Sequence, residues 1–185
     1  MKFDKYEKLG DYHWQTWKNN PTAPYCIHAN ICATAIKERP ILDVGCGDGL
    51  ITHLFGAGAI GVDELELPVQ MAIKHGVMAI QLNALDIPKV FKGLPAIFFG
   101  DVIEHLENPA EVLKQLRAAL KTDGILHIST PPKKASGQLQ SPYHIREYTG
   151  DELVQLVQPA GFKLRYPGVI VRNDLVQMYA TFTAI

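Results

Sequence analysis

From about residue 40 onward, short apolar runs alternate with amphipathic stretches, and Gly or Pro marks most of the boundaries. The runs Ile41–Val44, Ala59–Val62, Val77–Leu82, Ala96–Phe99 and Ile125–Ser129 are short and continuously apolar. That pattern predicts buried parallel strands, because a strand with one wet face would alternate. Between them, helices are predicted at Leu50–Phe55, Glu66–His75 and Ala110–Leu120, with a weak turn near Ile87–Phe91. The clearest is Ala110–Leu120, where Pro109 suits a first turn and Val112, Leu113, Leu116 and Leu120 form one stripe. Asp123-Gly124 is its predicted stop, and Lys114, Arg117 and Lys121 face solvent. Ahead of the first strand, Tyr25–Glu38 reads as a helix with Ile27, Ile31, Ala35 and Ile36 inward, preceded by the aromatic segment Tyr12-His13-Trp14.

After Thr130 comes a long Pro/Lys/Ser/Gly loop, then a helix over Asp151–Pro159 whose start carries a capping box, Thr149 with Glu152. Two last strands, Phe162–Val171 and Leu175–Phe182, are joined by the tight-turn signal Asn173-Asp174, which predicts an antiparallel hairpin at the sheet edge. Strands alternating with helices make this an α/β chain with helices on both faces of one seven-stranded sheet. A length of 185 residues supports one core, so we expect a single domain over 1–185, with 1–39 as an N-terminal substrate or lid segment.

Composition adds exclusions. Eighteen Lys plus Arg against 19 Asp plus Glu give a net charge of −1, without the basic stripe that DNA binding needs. No apolar run approaches a membrane span, and the start is polar and aromatic, so the expected location is cytoplasmic and no membrane partner is expected. Cys26, Cys32 and Cys46 have no zinc or redox spacing and read as reduced packing thiols.

The stretch Pro40-Ile-Leu-Asp-Val-Gly-Cys-Gly-Asp-Gly49 runs a buried strand into three alternate glycines and then a helix. In open α/β sheets ligands sit beyond the carboxyl ends of the strands, and a glycine turn there lets backbone approach closely. A dinucleotide fingerprint would place its third glycine at Leu50, so the spacing is G-x-G-x-G instead. Asp43 and Asp48 would repel a pyrophosphate but attract a cationic ligand such as S-adenosylmethionine, which carries an ammonium and a sulfonium. Asp63, ending the second strand, stands where an acid can accept both ribose hydroxyls, with Glu64 beside it as the alternative.

Leu42-Asp-Val-Gly-Cys-Gly-Asp-Gly49 resembles the first motif of the class I S-adenosylmethionine-dependent methyltransferases. Gly61-Val-Asp63 resembles the second, and Asn83-Ala-Leu-Asp-Ile-Pro88 the segment flanking the adenine, with Asn83 where many relatives have Asp. Asp101-Val-Ile-Glu-His-Leu-Glu-Asn-Pro109 and Leu120-Lys-Thr-Asp-Gly-Ile-Leu126 resemble the fourth and fifth motifs, Lys-Thr-Asp-Gly replacing Lys-Pro-Gly-Gly. The resemblance covers nearly the whole chain. It implies a Rossmann-like sheet of order 3-2-1-4-5-7-6 with strand seven antiparallel, and S-adenosyl-L-methionine as cofactor with S-adenosyl-L-homocysteine as product. It also implies cofactor-binding roles for Asp43, Gly45, Cys46, Gly47, Asp63, Glu64, Asn83, Ala84 and Asp101.

On the acceptor side, candidates lie at the ends of strands four and five: Asp101, Glu104, His105, Thr130, and a loop with Tyr143, His144, Arg146 and Tyr148. An imidazole can change protonation near neutral pH, and His105 and His144 are expected to face one another as the catalytic pair, either one serving as base. Asp101, Glu104 and His105 have the i, i+3, i+4 spacing of one helical face and could hold a divalent ion with a second His. Small-RNA terminal 2′-O-methyltransferases and ubiquinone-pathway O-methyltransferases use Glu-x-x-Glu-His that way, whereas metal-free relatives carry Glu-His as pocket lining. We read the pair as pocket structure and assign no metal. Arg146 is expected to reach a non-neighbouring acid or the substrate, Tyr12-His13-Trp14 to serve as lid or as packing, and His53 and His75 to be surface or packing residues. The expected activity is O-methylation of a small molecule or glycan. The alternatives are metal-assisted 2′-O-methylation of an RNA terminus and a non-catalytic cofactor-binding partner subunit.

Overall fold

In the computed structural model, which describes residues 3–172 and 175–185, the apolar runs form one seven-stranded sheet of order β3-β2-β1-β4-β5-β7-β6. The strands are β1 (Ile41–Val44), β2 (Ala59–Asp63), β3 (Ala79–Gln81), β4 (Leu94–Gly100), β5 (Leu120–Thr130), β6 (Phe162–Arg172) and β7 (Leu175–Ala184). The first five pair in parallel, and β7 runs antiparallel to both β5 and β6, as the pattern predicts. The expected Asn173-Asp174 turn lies outside the described residues.

Alternation along β1 explains the two layers of core. Leu42 and Val44 face the cluster built with α7 (Pro109–Ala119) and α8 (Gly150–Val157), through Leu113, Leu116 and Leu153. Ile41 faces the other cluster, with Ile51 and Phe55 of α4 (Leu50–Phe55) and Ala29 and Cys32 of α3 (Pro24–Ala35). The capping box at α8 is present as expected: Glu152 N–H donates to Thr149 Oγ1, and Thr149 N–H to Glu152 Oε2.

Two local expectations are corrected. The buried stripe of α3 is Cys26, Ala29 and Cys32, continuing to Ile36, while Ile27 and Ile31 are half-exposed and Ala35 is exposed. Both stripes satisfy the helical period, but the smaller side chains let α3 lie close to α4 and the sheet, a packing criterion that hydrophobicity does not rank. Likewise α7 stops at Ala119, because Leu120 is already extended and paired with Leu94. Asp123, at a φ of 61°, and Gly124 belong to an irregularity inside β5, where the register with β4 shifts between Leu94 and Ala96.

The N-terminal segment contains two helices that the pattern does not announce, α1 (Lys5–Leu9) and α2 (Tyr12–Asn19). They are held by ring contacts: Trp14 stacks on His75 at 4.1 Å and meets His53 edge-on at 5.0 Å. His75 also pairs with Asp11 at 2.7 Å. Both histidines are therefore packing residues, the clamp for the segment. The remaining helices are α5 (Glu66–Lys74) and the single turn α6 (Ile87–Val90). No helix among the described residues is long and apolar enough to cross a membrane.

Candidate active site

The carboxyl ends of β1, β2 and β4 open into a cleft of about 1070 Å³. Gly45 and Gly47 turn the chain out of β1 with φ of +76° and +56°, a region that costs an ordinary L-residue roughly 1–2 kcal/mol. Neither has room for a Cβ: at Gly45 it would lie 2.3 Å from Val102 Cγ2, and at Gly47 1.9 Å from Tyr6 Oη. The loop is fastened to β2, since Gly45 and Cys46 N–H both donate to Val62 O. Gly47 N–H donates to Asp63 Oδ2 at 3.0 Å, and Leu65 N–H to Asp63 Oδ1 at 2.9 Å. Each Asp63 oxygen keeps a free lone pair on the cleft wall. Burial raises its carboxyl pKa despite these two donors.

Asp43 is buried beneath the loop and accepts the Thr52 hydroxyl at 2.5 Å. Desolvation, offset by that hydroxyl and reinforced by the charge of Asp63, pushes its carboxyl up to about 7. Glu64 is exposed and accepts Asn83 Nδ2–H at 3.2 Å, while Asn83 Oδ1 accepts Leu85 N–H and so caps the turn over Ala84–Asp86. Asn83 and Ala84 line the cleft beside Leu82. Asp48 does not line it, because its carboxylate is bound to His13 N–H and Nδ1 at 3.1 and 3.0 Å, and its carbonyl accepts the Trp14 indole at 2.7 Å.

Through those bonds the N-terminal segment is strapped across the glycine loop, with Tyr12-His13-Trp14 packed at its edge. Phe3, Lys5, Tyr6, Tyr12 and His13 all line the cleft. From the other side the loop after β5 arrives, and Tyr143 Oη donates to Asp4 Oδ1 at 3.0 Å. Arg146 turns away to Glu152, 3.7 Å distant, which settles its expected partner as an acid.

Asp101 has a φ of 54°, unusual for a residue other than glycine, and this redirects its side chain. Gln177 donates to Oδ1 in a short hydrogen bond, and His28 Nε2 lies 3.4 Å from Oδ2. The Tyr179 hydroxyl, 2.5 Å from His28 Nδ1, completes a relay from β7 through α3 to the end of β4. Asp101 therefore does not share a face with Glu104 and His105; a 3-10 turn over Ile103–His105 replaces the nascent α-helix on which that spacing relied.

Glu104, His105 and His144 do come together, one ligand atom of each lying within 4.8 Å of the others. The two imidazole rings are 5.0 Å apart and edge-on. His105 Nδ1–H donates to Tyr143 O at 2.9 Å, leaving Nε2 as an acceptor. His144 Nδ1 meets the buried Glu147 Oε1 at 2.6 Å, which fixes that ring in the same way. Burial lowers the His105 pKa and raises that of Glu104 well above the carboxylate range, and Glu104 Oε2 accepts the Thr130 hydroxyl. Three groups that can donate an electron pair thus face one another in the cleft, two of them imidazoles.

His28, Gln177 and Glu147 were invisible as site residues. The first two reach Asp101 across 73 and 76 positions of chain. Glu147 does stand three residues after His144, but in a loop that spacing carries no facing rule.

A family profile described as a methyltransferase domain matches residues 27–166. The chain is 25% identical over 151 residues to the ubiquinone biosynthesis O-methyltransferase of Histophilus somni, covering 70% of this chain and 63% of that protein. It is 30% identical over 139 residues to a probable S-adenosylmethionine-dependent methyltransferase of Mycobacterium tuberculosis, covering 70% and 51%. The chain thus spans 51–63% of the length of these curated relatives. Among solved structures, a SAM-dependent methyltransferase of Thermotoga maritima, described as a possible histamine N-methyltransferase, matches with a TM-score of 0.79 over 100% of both chains. At 17% identity that is a likeness of fold.

Proposed function

The chain belongs to the class I S-adenosylmethionine-dependent methyltransferase family, and on that premise we propose that it methylates an oxygen of a small-molecule or glycan acceptor. The observation carrying this reading is that one cleft holds the glycine loop, Asp63 and Asn83 together with two imidazoles whose Nδ1 atoms are held by Tyr143 O and Glu147 Oε1. Gly45 and Gly47 let Val102 and Tyr6 pack directly against the loop, and carboxylates line the cleft beside it, which fits a cationic cofactor. When bound, S-adenosylmethionine supplies an electrophilic methyl group. Asp63 holds the ribose, Asn83 and Ala84 border the adenine, and the strap excludes water. His144, or His105, takes the proton of the acceptor hydroxyl as it becomes the nucleophile. The test is transfer of labelled methyl groups to a cell extract by the purified chain, with the product identified by mass. A labelled amine, or no label at all, would overturn O-methylation.

A second reading is favoured by one observation, the convergence of Glu104, His105 and His144. Two imidazoles and a carboxylate form a donor set suited to a divalent transition metal. Such an ion would keep Glu104 ionised and hold the acceptor oxygen. This set keeps Glu104 and His105 of the one that sequence spacing suggests, has His144 as its second His, and lacks Asp101.

Two binding predictions follow from the cofactor half. Asp63→Ala is expected to weaken S-adenosylhomocysteine binding more than about tenfold, since a carboxylate hydrogen bond contributes roughly 1.5–3 kcal/mol. Calorimetry checks this, and unchanged affinity would move the ribose to Glu64. The second concerns pH. The free protein holds Asp43 protonated below about 7, and a cationic ligand requires the ionised form. Affinity should therefore rise from pH 6 to pH 8, by up to about tenfold per unit on the acid side. Asp43→Asn should flatten that slope, and a parent protein without the slope would refute the role.

A further inference from the structure

Charge around the cleft is one-sided. Asp43, Asp63, Glu64, Asp101, Glu104, Glu107 and Glu111 line it, and Lys5 is the one lysine or arginine among the described lining residues. Lys5 Nζ sits over the Tyr12 ring at 4.4 Å from its centre and makes no ion pair among the described residues. On the same helix Lys8 pairs with Asp4 at 2.9 Å, so α1 spends its solvent-side lysine on a carboxylate and leaves the cleft-side one without. Burial lowers the Lys5 pKa, and the charges of Asp101 and Asp48 partly restore it. A partly desolvated ammonium resting on an aromatic face is electrostatically unfinished: the ring offers a weak partner, and an anion would be a strong one.

The neighbouring residue fixes where this ammonium stands. Tyr6, buried at 7% exposure, brings its hydroxyl against Gly47, so α1 is docked on the glycine loop itself. S-adenosylmethionine has two cationic groups and one carboxylate, and the cleft offers the seven carboxylates named above for the first and Lys5 for the second. We propose that the Lys5 ammonium binds the carboxylate of the cofactor's methionine portion, which makes the N-terminal segment a part of the cofactor site. This rests on the methyltransferase reading. It also explains why the strap carries its own fastening to the loop at Asp48: the segment must be held where its lysine meets the ligand.

The experiment measures calorimetric affinities of the parent, Lys5→Met and Lys5→Arg proteins for three probes. These are S-adenosylmethionine, decarboxylated S-adenosylmethionine, which keeps both cations, and 5′-methylthioadenosine, which lacks the amino-acid portion. The parent should prefer S-adenosylmethionine over its decarboxylated form by about tenfold or more, as expected for one charge-assisted contact. Lys5→Met should remove that preference by weakening S-adenosylmethionine alone, and Lys5→Arg should retain most of it. Unchanged binding of 5′-methylthioadenosine reports that the variant is folded. A preference that survives in Lys5→Met, equal weakening of all three probes, or a parent that binds all three equally would overturn the proposal. A parent that binds none of them overturns the methyltransferase reading, and the proposal with it.

Discussion

Gly47→Val is expected to abolish binding of S-adenosylhomocysteine, a loss of about 100-fold or more, equivalent to roughly 2.7 kcal/mol or above. Three effects coincide at this position. A β-branched residue at a φ of +56° is strained by itself. Its Cβ would fall 1.9 Å from the hydroxyl of Tyr6, a side chain too buried to swing aside without lifting α1 from the loop. The Gly47 N–H, whose bond to Oδ2 aims Asp63, would move with the backbone. Gly76→Ala is the matched control, because its φ is +78° and nothing lies within 4 Å of the added Cβ. It should cost about 1 kcal/mol of stability through strain alone and leave binding intact. A Gly47→Val protein that melts cooperatively and still binds S-adenosylhomocysteine like the parent would show that the loop is not the site.

Substituting the imidazole pair is expected to strike turnover instead of cofactor affinity. His144→Ala or His105→Ala, whichever removes the base, should lower the rate by about 10²–10⁴ with S-adenosylhomocysteine binding nearly unchanged. His144 is the better placed, since Glu147 at 2.6 Å orients its ring and supports the positive charge that proton uptake creates, whereas His105 leans on a neutral carbonyl. Chelation separates the two readings of the cluster. A chelator-resistant enzyme supports the base, and activity lost to chelator and restored by Mg²⁺, Mn²⁺ or Zn²⁺ supports an ion on Glu104, His105 and His144. Full activity in both Ala variants on the true acceptor would remove both residues from the chemistry and leave positioning to account for the transfer.

The strand core was readable because its signal is local. Ile41–Val44 and Leu50–Phe55 match the predicted bounds to the residue, since a buried parallel strand is continuously apolar and the glycines between it and the helix admit few conformations. The same locality made Gly45, Gly47, Asp63 and Asn83 legible, all lying within a few residues of a strand end. His105 and His144 were paired through the family resemblance and the rule that strand ends converge, and the rings do meet.

Where several arrangements satisfied one pattern, tertiary packing chose among them. The period of α3 allowed an Ile27/Ile31 face or a Cys26/Ala29/Cys32 face, and close approach to the sheet selected the smaller side chains. The spacing of Asp101, Glu104 and His105 suggested one helical face, but a left-handed residue at Asp101 sends its carboxylate to Gln177 and His28 on other elements. The strap over the glycine loop depends on Trp14 meeting His75 and Asp48, contacts between positions far apart in the chain. By itself the sequence determined the sheet, the glycine loop and the acids at the strand ends, because each follows from backbone periodicity and turn chemistry within one short segment. Only the tertiary structure decided which polar groups share the cleft, because hydrogen bonds and ring contacts between distant segments leave no periodic trace in the chain.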